Sequence, residues 1–195
     1  CPDKPIQPYE EMFEKTKDFQ KSMTMVIGLG EKKEDFPLLK NFIKKHNLER
    51  ITFYALKPVK GTIFEHGNGP KTEDYLWWIA KTRINFPKLE IIAGTTARRY
   101  EEVGSLLKAG ANAFTKFPAT KMFGTKEAFK IEEDIKSVNR KLKGTITKLP
   151  DLDWNKEVEL LELNEELENE VKEKLEIYLK RIKANYSKTM ENNIN

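Results

Sequence analysis

Short apolar runs alternate with helical patterns through the first three quarters of this chain, and that alternation limits the folds open to it. Strands are predicted at residues 23–29, 50–56, 89–93 and 111–117. Helical patterns are predicted before, between and after them, at residues 8–21, 36–46, 72–84, 97–108 and 129–142. Strands that alternate with helices at this rhythm are typical of parallel sheets with right-handed crossovers. The pattern predicts an α/β protein.

Two architectures satisfy this pattern. Four β/α units are half of an eight-stranded β/α barrel. Four parallel strands also form a small open sheet when helices cover both of its faces. The spacing of the elements does not separate these alternatives.

The pattern changes after residue 143, where the predicted first domain (residues 1–143) ends. A linker over residues 144–153 contains Pro150, a single helix is predicted over residues 154–188, and residues 189–195 are predicted to be a disordered tail. The predicted helix carries an apolar stripe at steps of three or four, formed by Leu160, Leu163, Leu167, Val171, Leu175, Leu179, Ile182 and Tyr186. Such a stripe favours docking on the helix's own domain, and binding to a partner protein remains the alternative.

Composition excludes several classes of function. The net charge of +4 comes from 35 basic and 31 acidic residues, and no basic stripe interleaved with aromatics stands out, so nucleic-acid binding is not expected. No apolar run approaches the ~20 residues that span a bilayer, and no secretory signal is visible. We therefore expect a cytoplasmic protein that makes no membrane contact.

The chain contains a single cysteine, Cys1, and begins with that residue instead of methionine. One cysteine forms neither an internal disulfide nor, alone, a structural metal site. No metal ligand is therefore predicted within this chain. We interpret the unusual first residue as the start of a truncated or incomplete chain.

The segment Met-Val-Ile-Gly-Leu-Gly-Glu, residues 25–31, is the strongest local signal of a binding site. An apolar strand runs into two glycines and a carboxylate, at the strand end where ligands of α/β proteins gather. Glycine permits close backbone approach, and a carboxylate accepts hydrogen bonds from a ligand. The alternative interpretation is a tight strand-to-helix turn with Glu31 in the first helical turn.

Five sequence blocks together resemble the C-terminal half of the biotin-synthase branch of radical SAM enzymes. They are residues 25–31, Tyr-Ala-Leu-Lys-Pro-Val-Lys-Gly-Thr at 54–62, Ile-Ala-Lys-Thr-Arg-Ile-Asn-Phe-Pro at 79–87, Ala-Gly at 93–94 and Ala-Gly-Ala-Asn at 109–112. The resemblance extends over residues 9–125. It implies a partial, half TIM-type β/α barrel followed by the long C-terminal helix.

The resemblance also implies the cofactors. Enzymes of this family hold a 4Fe-4S cluster on a CxxxCxxC motif and cleave S-adenosyl-L-methionine to a 5′-deoxyadenosyl radical. This chain has no such motif, so the cluster ligands are expected in a preceding half, and the chain alone is not expected to be active. The implied reaction is functionalisation of an unactivated C–H bond, in some cases with sulfur insertion. The implied partner is a small-molecule or lipoyl-type substrate.

The adenosine pocket of the family is shaped by a GxIxGxxE-type motif. Gly28 and Glu31 match it, Val26 takes the apolar position, and Thr24 stands where the family has its first glycine. Leu56, at the end of the next strand, corresponds to a position that contacts the adenine. The resemblance thus implies that these five residues bind S-adenosyl-L-methionine.

Four further positions are expected on the substrate side: the resemblance points to Tyr54, Lys57 and Glu90, and Lys116 is selected because it ends the last predicted strand. Glu90 stands where biotin synthase has an arginine ligand of an auxiliary two-iron cluster, and Ser22 aligns with a cysteine ligand of that cluster. Because neither residue replaces its counterpart, biotin synthesis itself is not expected. Lipoyl synthases and other biotin-synthase-like enzymes remain open, and no catalytic residue is assigned.

Two alternatives to an enzyme remain. The first is a non-catalytic β/α subunit that lends a substrate surface to a partner. The second is an interaction protein that acts through its C-terminal helix. At the level of single residues, the alternative for Lys57 is a solvated loop cation, and for Arg83 we favour a structural ion pair.

Overall fold

The structure is a computed structural model that describes the backbone of residues 5–194 and the side chains of residues 5–191. The chain divides into two compact units, Cys1–Phe117 and Pro118–Asn195. The predicted first domain, residues 1–143, runs past this division. None of the helices in the described part of the chain is both long and apolar enough to cross a membrane.

The first unit contains a four-stranded sheet in the order β1-β2-β3-β4, in which every neighbouring pair is parallel. The strands are β1 (Ser22–Ile27), β2 (Arg50–Ala55), β3 (Glu90–Gly94) and β4 (Ala113–Thr115). The helices are α1 (Gln7–Lys15), which precedes the sheet, and α2 (Phe36–His46), α3 (Thr72–Asn85) and α4 (Val103–Lys108), which follow successive strands. The predicted α/β class and the four parallel strands are confirmed.

The two faces of the sheet differ in burial. When each strand pairs with the next one in the chain, right-handed crossovers place all the helices on one face. In the two central strands the side chains of one face are fully buried, namely Ile51, Phe53, Ile91 and Ala93, whereas Met23, Met25 and Phe114 of the outer strands are partly exposed on this face. Their neighbours along the strands, on the opposite face, are partly or fully exposed: Thr24, Val26, Thr52, Tyr54, Glu90, Ile92 and Thr115. We call this second surface the open face.

The open face can be compared with the doubly covered sheet that is one of the two architectures left open by the sequence. A sheet with helices on both faces would bury alternate residues on both sides, because each face would pack against apolar helix surfaces. The central strands β2 and β3 are instead buried on one side and accessible on the other at Thr52, Tyr54 and Ile92. The structure therefore does not match the doubly covered sheet.

Arg83 connects α3 to the turns that precede β3 and β4. Its Nε donates to the carbonyl oxygen of Gly110 at 2.9 Å, and its Nη1 donates to those of Pro87 and Leu89, each at 2.8 Å. Its Nη2 donates to Oδ1 of Asn112, which also accepts the N–H of Ile91 at 2.8 Å. These partners are carbonyl oxygens of the backbone and of an amide, and the ion pair that the sequence favours for Arg83 stays a prediction.

The second unit is helical. It contains α5 (Ala119–Met122), α6 (Lys126–Ser137), α7 (Trp154–Glu159) and α8 (Glu165–Ile194). Helix α8 is tied to the α5 region because Arg181 Nη2 donates to the carbonyl of Thr120 at 2.9 Å, and the Thr189 hydroxyl donates to that of Gly124 at 3.1 Å. The predicted long C-terminal helix is confirmed.

The bounds of this helical region differ from the sequence pattern. The continuous helix predicted over residues 154–188 is divided, since Glu162 takes a φ of 51° and Asn164 Oδ1 accepts the N–H of Leu167 to start α8. At its other end, α8 continues to Ile194 through the region predicted to be a disordered tail, and residue 195 lies outside the described residues. The predicted linker, residues 144–153, contributes a buried Thr147 to this unit.

Replacement of Arg83 with alanine should destabilise the first unit. Charge-assisted hydrogen bonds to partly buried carbonyls would be lost, and we expect the free energy of unfolding to fall by about 2–3 kcal/mol. Urea denaturation measures the change. The matched control is Arg98→Ala, because Arg98 is exposed and should contribute within about 0.5 kcal/mol. Equal effects of the two substitutions would contradict the bridging role of Arg83.

Candidate functional site

The turn after β1 is ordered by Glu31. Its carboxylate accepts the N–H of Gly28 at 2.6 Å and the N–H of Leu29 at 2.9 Å. Gly28 and Gly30 take φ values of 105° and 108°, which side chains other than glycine rarely adopt. Glu31 thus fixes the conformation in which both glycines stand at the end of the strand.

The two glycines of this turn have different surroundings. A Cβ added to Gly28 would lie 2.9 Å from Cδ of Pro70 and 3.1 Å from Cβ of Leu56, so the chain itself packs against Gly28. A Cβ added to Gly30 would meet no atom within 4 Å. The open approach to this backbone is therefore at Gly30. The sequence reasoning did not select Gly30, although its place in the Gly-Leu-Gly-Glu segment is the signal that could have done so.

Four of the predicted site residues belong to one surface. Thr24 and Val26 of β1 share the open face with Tyr54 of β2, because Val26 pairs with Tyr54 in the register of the sheet. Leu56 follows β2 directly, and its N–H donates to the carbonyl of Ile27 at 2.8 Å. The sheet thus brings Thr24, Val26, Tyr54 and Leu56 to neighbouring positions at and near the C-terminal ends of β1 and β2.

Tyr54 and Lys116 meet across β3. Gly94 lies beside Tyr54 in the register, and a Cβ added to Gly94 would collide with the Tyr54 ring. The ring therefore lies against the Gly94 backbone. Lys116, just after β4, places Nζ 5.7 Å from the centroid of this ring, which is within the range of a cation–π contact. Lys116 also takes a φ of 70°, which is uncommon for a residue with a long side chain.

Glu90 and Lys57 are not part of this group. Glu90 lies at the first position of β3, about 13 Å along the strand from Gly94, and its Oε2 accepts from Arg50 Nε at 2.6 Å. Ser22, Arg50 and Glu90 form one row across the sheet. The two positions that the resemblance relates to an auxiliary cluster thus lie in one row, and Arg50 stands between them. Lys57 is exposed in the loop after β2.

A buried polar network supports the loop that packs on Gly28. The Tyr75 hydroxyl lies 2.7 Å from the carbonyl oxygen of Phe53 and 3.0 Å from that of Gly94, and burial raises its pKa well above the ordinary value. Arg99 lies over the Tyr75 ring at 5.5 Å and donates from Nε to Glu102 Oε2 at 2.8 Å.

The same network reaches the loop between β2 and α3. Glu102 Oε1 accepts from the Thr72 hydroxyl at 2.6 Å, and Arg99 Nη1 donates to the carbonyl of Pro70 at 3.3 Å. Arg99 is thereby a positioning residue for Pro70, the residue that packs on Gly28. The sequence did not reveal this role, because two adjacent arginines at the start of a helical pattern are usually solvated.

The described residues contain no group of three histidine, cysteine, aspartate or glutamate side chains that could hold a metal ion. The charged groups that follow the strands include the Glu31 carboxylate, which already accepts two backbone hydrogen bonds, and two lysines, Lys57 and Lys116. Such a set suits the binding of an organic ligand with an anionic group.

Residues 52–141 match the model of the Biotin and Thiamin Synthesis associated domain. The matched range includes Tyr54, Lys57, Glu90 and Lys116, and it begins after the glycine-rich turn. An uncharacterized protein of Methanocaldococcus jannaschii is 38% identical over 198 residues, which covers 93% of this chain. The chain spans 56% of the length of that curated relative.

The contact between Tyr54 and Gly94 has a direct test. Gly94→Ala should force the Tyr54 ring away from β3 and lower the free energy of unfolding by about 1–3 kcal/mol. In a Tyr54→Ala background the same change should cost far less, since the colliding ring is gone. Urea denaturation of the four proteins of this double-mutant cycle gives the coupling. Equal costs in both backgrounds would show that the ring does not lie against Gly94.

Proposed function

We propose that this chain forms the C-terminal half of a biotin-synthase-like radical SAM enzyme, with the open face as part of the lumen of a β/α barrel. The open face carries the proposal. In such a barrel the helices lie outside, and one face of every strand points to the interior. The sequential strand order and the one-sided burial of the sheet have the properties expected of half a barrel.

The match to the Biotin and Thiamin Synthesis associated domain supports the family part of this proposal. The family resemblance of residues 25–31 supports the cofactor part. S-adenosyl-L-methionine supplies a 5′-deoxyadenosyl radical when it is bound and reductively cleaved. On this chain its adenosine would lie along Thr24 and Val26 and approach the backbone at Gly30, because Pro70 already packs against Gly28.

The residues of this chain do not fit a 4Fe-4S cluster. Such a cluster takes several thiolate ligands, and the sequence contains one cysteine. No step is therefore derived through the cluster, and its ligands are proposed to lie in another half of the enzyme. The contribution of this chain is to shape the nucleoside pocket and to hold the substrate.

Tyr54 and Lys116 are proposed to hold the substrate at the C-terminal ends of the strands, and Lys57 is proposed to contact it from the exposed loop after β2. The Tyr54 ring offers a flat apolar surface. Lys57 and Lys116 form no ion pair among the described residues, so their charges are available to a carboxylate or phosphate. A small or lipoyl-type molecule with an anionic group fits this arrangement.

The test uses the full-length polypeptide that contains this chain, reconstituted with iron and sulfide under anaerobic conditions. Val26→Trp should fill the open face and lower the formation of 5′-deoxyadenosine roughly 10–100-fold, because the nucleoside would be displaced. The matched control is Leu38→Trp, since Leu38 is 70% exposed on α2. Lys116→Ala should leave cleavage without substrate unchanged.

Two outcomes would overturn the proposal. The first is that the reconstituted polypeptide forms no 5′-deoxyadenosine. The second is that the Val26→Trp variant folds normally and cleaves S-adenosyl-L-methionine at the original rate. Circular dichroism establishes that each variant is folded.

A further inference from the structure

The second unit contains a groove that the proposed function does not use. It lies between α6, residues 145–151 and α8, and its volume is about 1530 Å³. This is larger than the ~300–1,000 Å³ of typical small-molecule sites. Phe129, Ile182 and Tyr186 provide an apolar floor, and the rings of Phe129 and Tyr186 are 5.8 Å apart. A groove of this size and character suits a segment of polypeptide.

Glu132 fixes one wall of the groove. Its Oε1 accepts the N–H of Ile146 and the hydroxyl of Thr145, each at 2.9 Å, which ties residues 145–147 to α6. Burial raises the pKa of Glu132, but these hydrogen bonds outweigh it and hold the pKa below the ordinary value. The carboxylate is therefore ionised and engaged at neutral pH.

The groove carries an excess of positive charge. Five lysines and three carboxylates line it, and one of those carboxylates is the engaged Glu132. The ammonium groups of Lys126, Lys148 and Lys183 make no hydrogen bond or ion pair with the described residues, and all three residues are exposed. The chemistry of the groove thus favours an occupant with apolar side chains and several carboxylates.

The same unit displays a segment with these properties. Residues 157–170, which we call the acidic leucine segment, contain seven glutamates and no lysine or arginine. Leu160, Leu161 and Leu167 are 74%, 58% and 43% exposed. Exposed leucines in an unbroken acidic stretch are complementary to a lysine-lined apolar groove.

The part of the acidic leucine segment that lies on α8 is far along the helix from the groove of its own chain. Glu166 and Lys183 lie on the same helix, α8, about 25 Å apart along its axis. The segment is also held at the start of α8, because Lys172 pairs with Glu159 at 3.1 Å and with Glu168 at 2.6 Å. The groove of a second copy of the chain is therefore the surface to which the acidic leucine segment can bind.

We propose that the acidic leucine segment of one copy docks in the lysine-lined groove of a second copy. In an antiparallel arrangement of two α8 helices, the start of each helix lies beside the later part of the other. The segment of each copy then binds in the groove of the other copy, which makes a closed two-fold dimer with two equal contacts. This proposal is independent of the enzymatic one.

The full 195-residue chain should sediment as a dimer, at twice its mass of 22.8 kDa. The dimer should weaken with salt, because screening shortens the reach of the charges. Two variants test the contact: a groove variant with Lys148→Glu and Lys183→Glu, and a segment variant with Glu166→Lys and Glu170→Lys. Each alone should dimerise at least about 10-fold more weakly, since like charges meet in both contacts.

An equimolar mixture of the groove variant and the segment variant should restore the dimer. In that pair, one contact joins two unchanged surfaces and the other joins two reversed ones. The matched control is Lys81→Glu with Lys188→Glu, which changes the charge equally at exposed positions outside the groove. A monomer at about 100 µM, or a mixture that does not re-form the dimer, would overturn the proposal.

Discussion

The structure of the first unit depends on the pairing of each parallel strand with the next strand in the chain. This order places the connecting helices on one face, so that Ile51, Phe53, Ile91 and Ala93 are fully buried against them. It also leaves the other face accessible and brings every C-terminal strand end to one edge. The glycine-rich turn, Tyr54 and Lys116 all owe their common location to this arrangement.

Glycine is needed at this edge for two different reasons. At Gly28 and Gly30 the backbone takes a left-handed φ that Glu31 stabilises through two N–H groups. At Gly94 the conformation is not the constraint, and the absence of a side chain instead gives room to the Tyr54 ring. The first reason shapes a turn, and the second determines where the Tyr54 ring lies on the open face.

The sequence predicted the class, the number of strands and their parallel pairing, because periodic burial and turn residues are local properties. It did not predict the interruption between α7 and α8. There, a left-handed Glu162 and the side chain of Asn164 separate the two helices, and the first residues of the apolar stripe, Leu160 and Leu163, lie in the connection between them. The stripe reports which residues are apolar and not whether the helix is continuous.

The place of the predicted site residues on the sheet follows from the sequence to the extent that alternation along a strand decides it, and their role stays a prediction. Thr24 and Val26 are two residues apart on β1, so their side chains share one face of the sheet. Tyr54 shares that face because it pairs with Val26 on the neighbouring strand. Glu90 shares that face but stands at the opposite end of the strand, where it pairs with Arg50. Arg99 was not predictable, since its contacts with Tyr75 and Pro70 depend on how two distant loops meet.

The accessibility of the open face tests the central claim most directly. In a Cys1→Ser background, the alkylation rate of Thr52→Cys by iodoacetamide is measured in this chain and in the full-length polypeptide that contains it, with Lys81→Cys as the exposed control. If the open face becomes the lumen of a barrel, Thr52→Cys should react at least about 10-fold more slowly in the full-length polypeptide, and the control should not change. Equal rates for Thr52→Cys in both proteins would contradict the account.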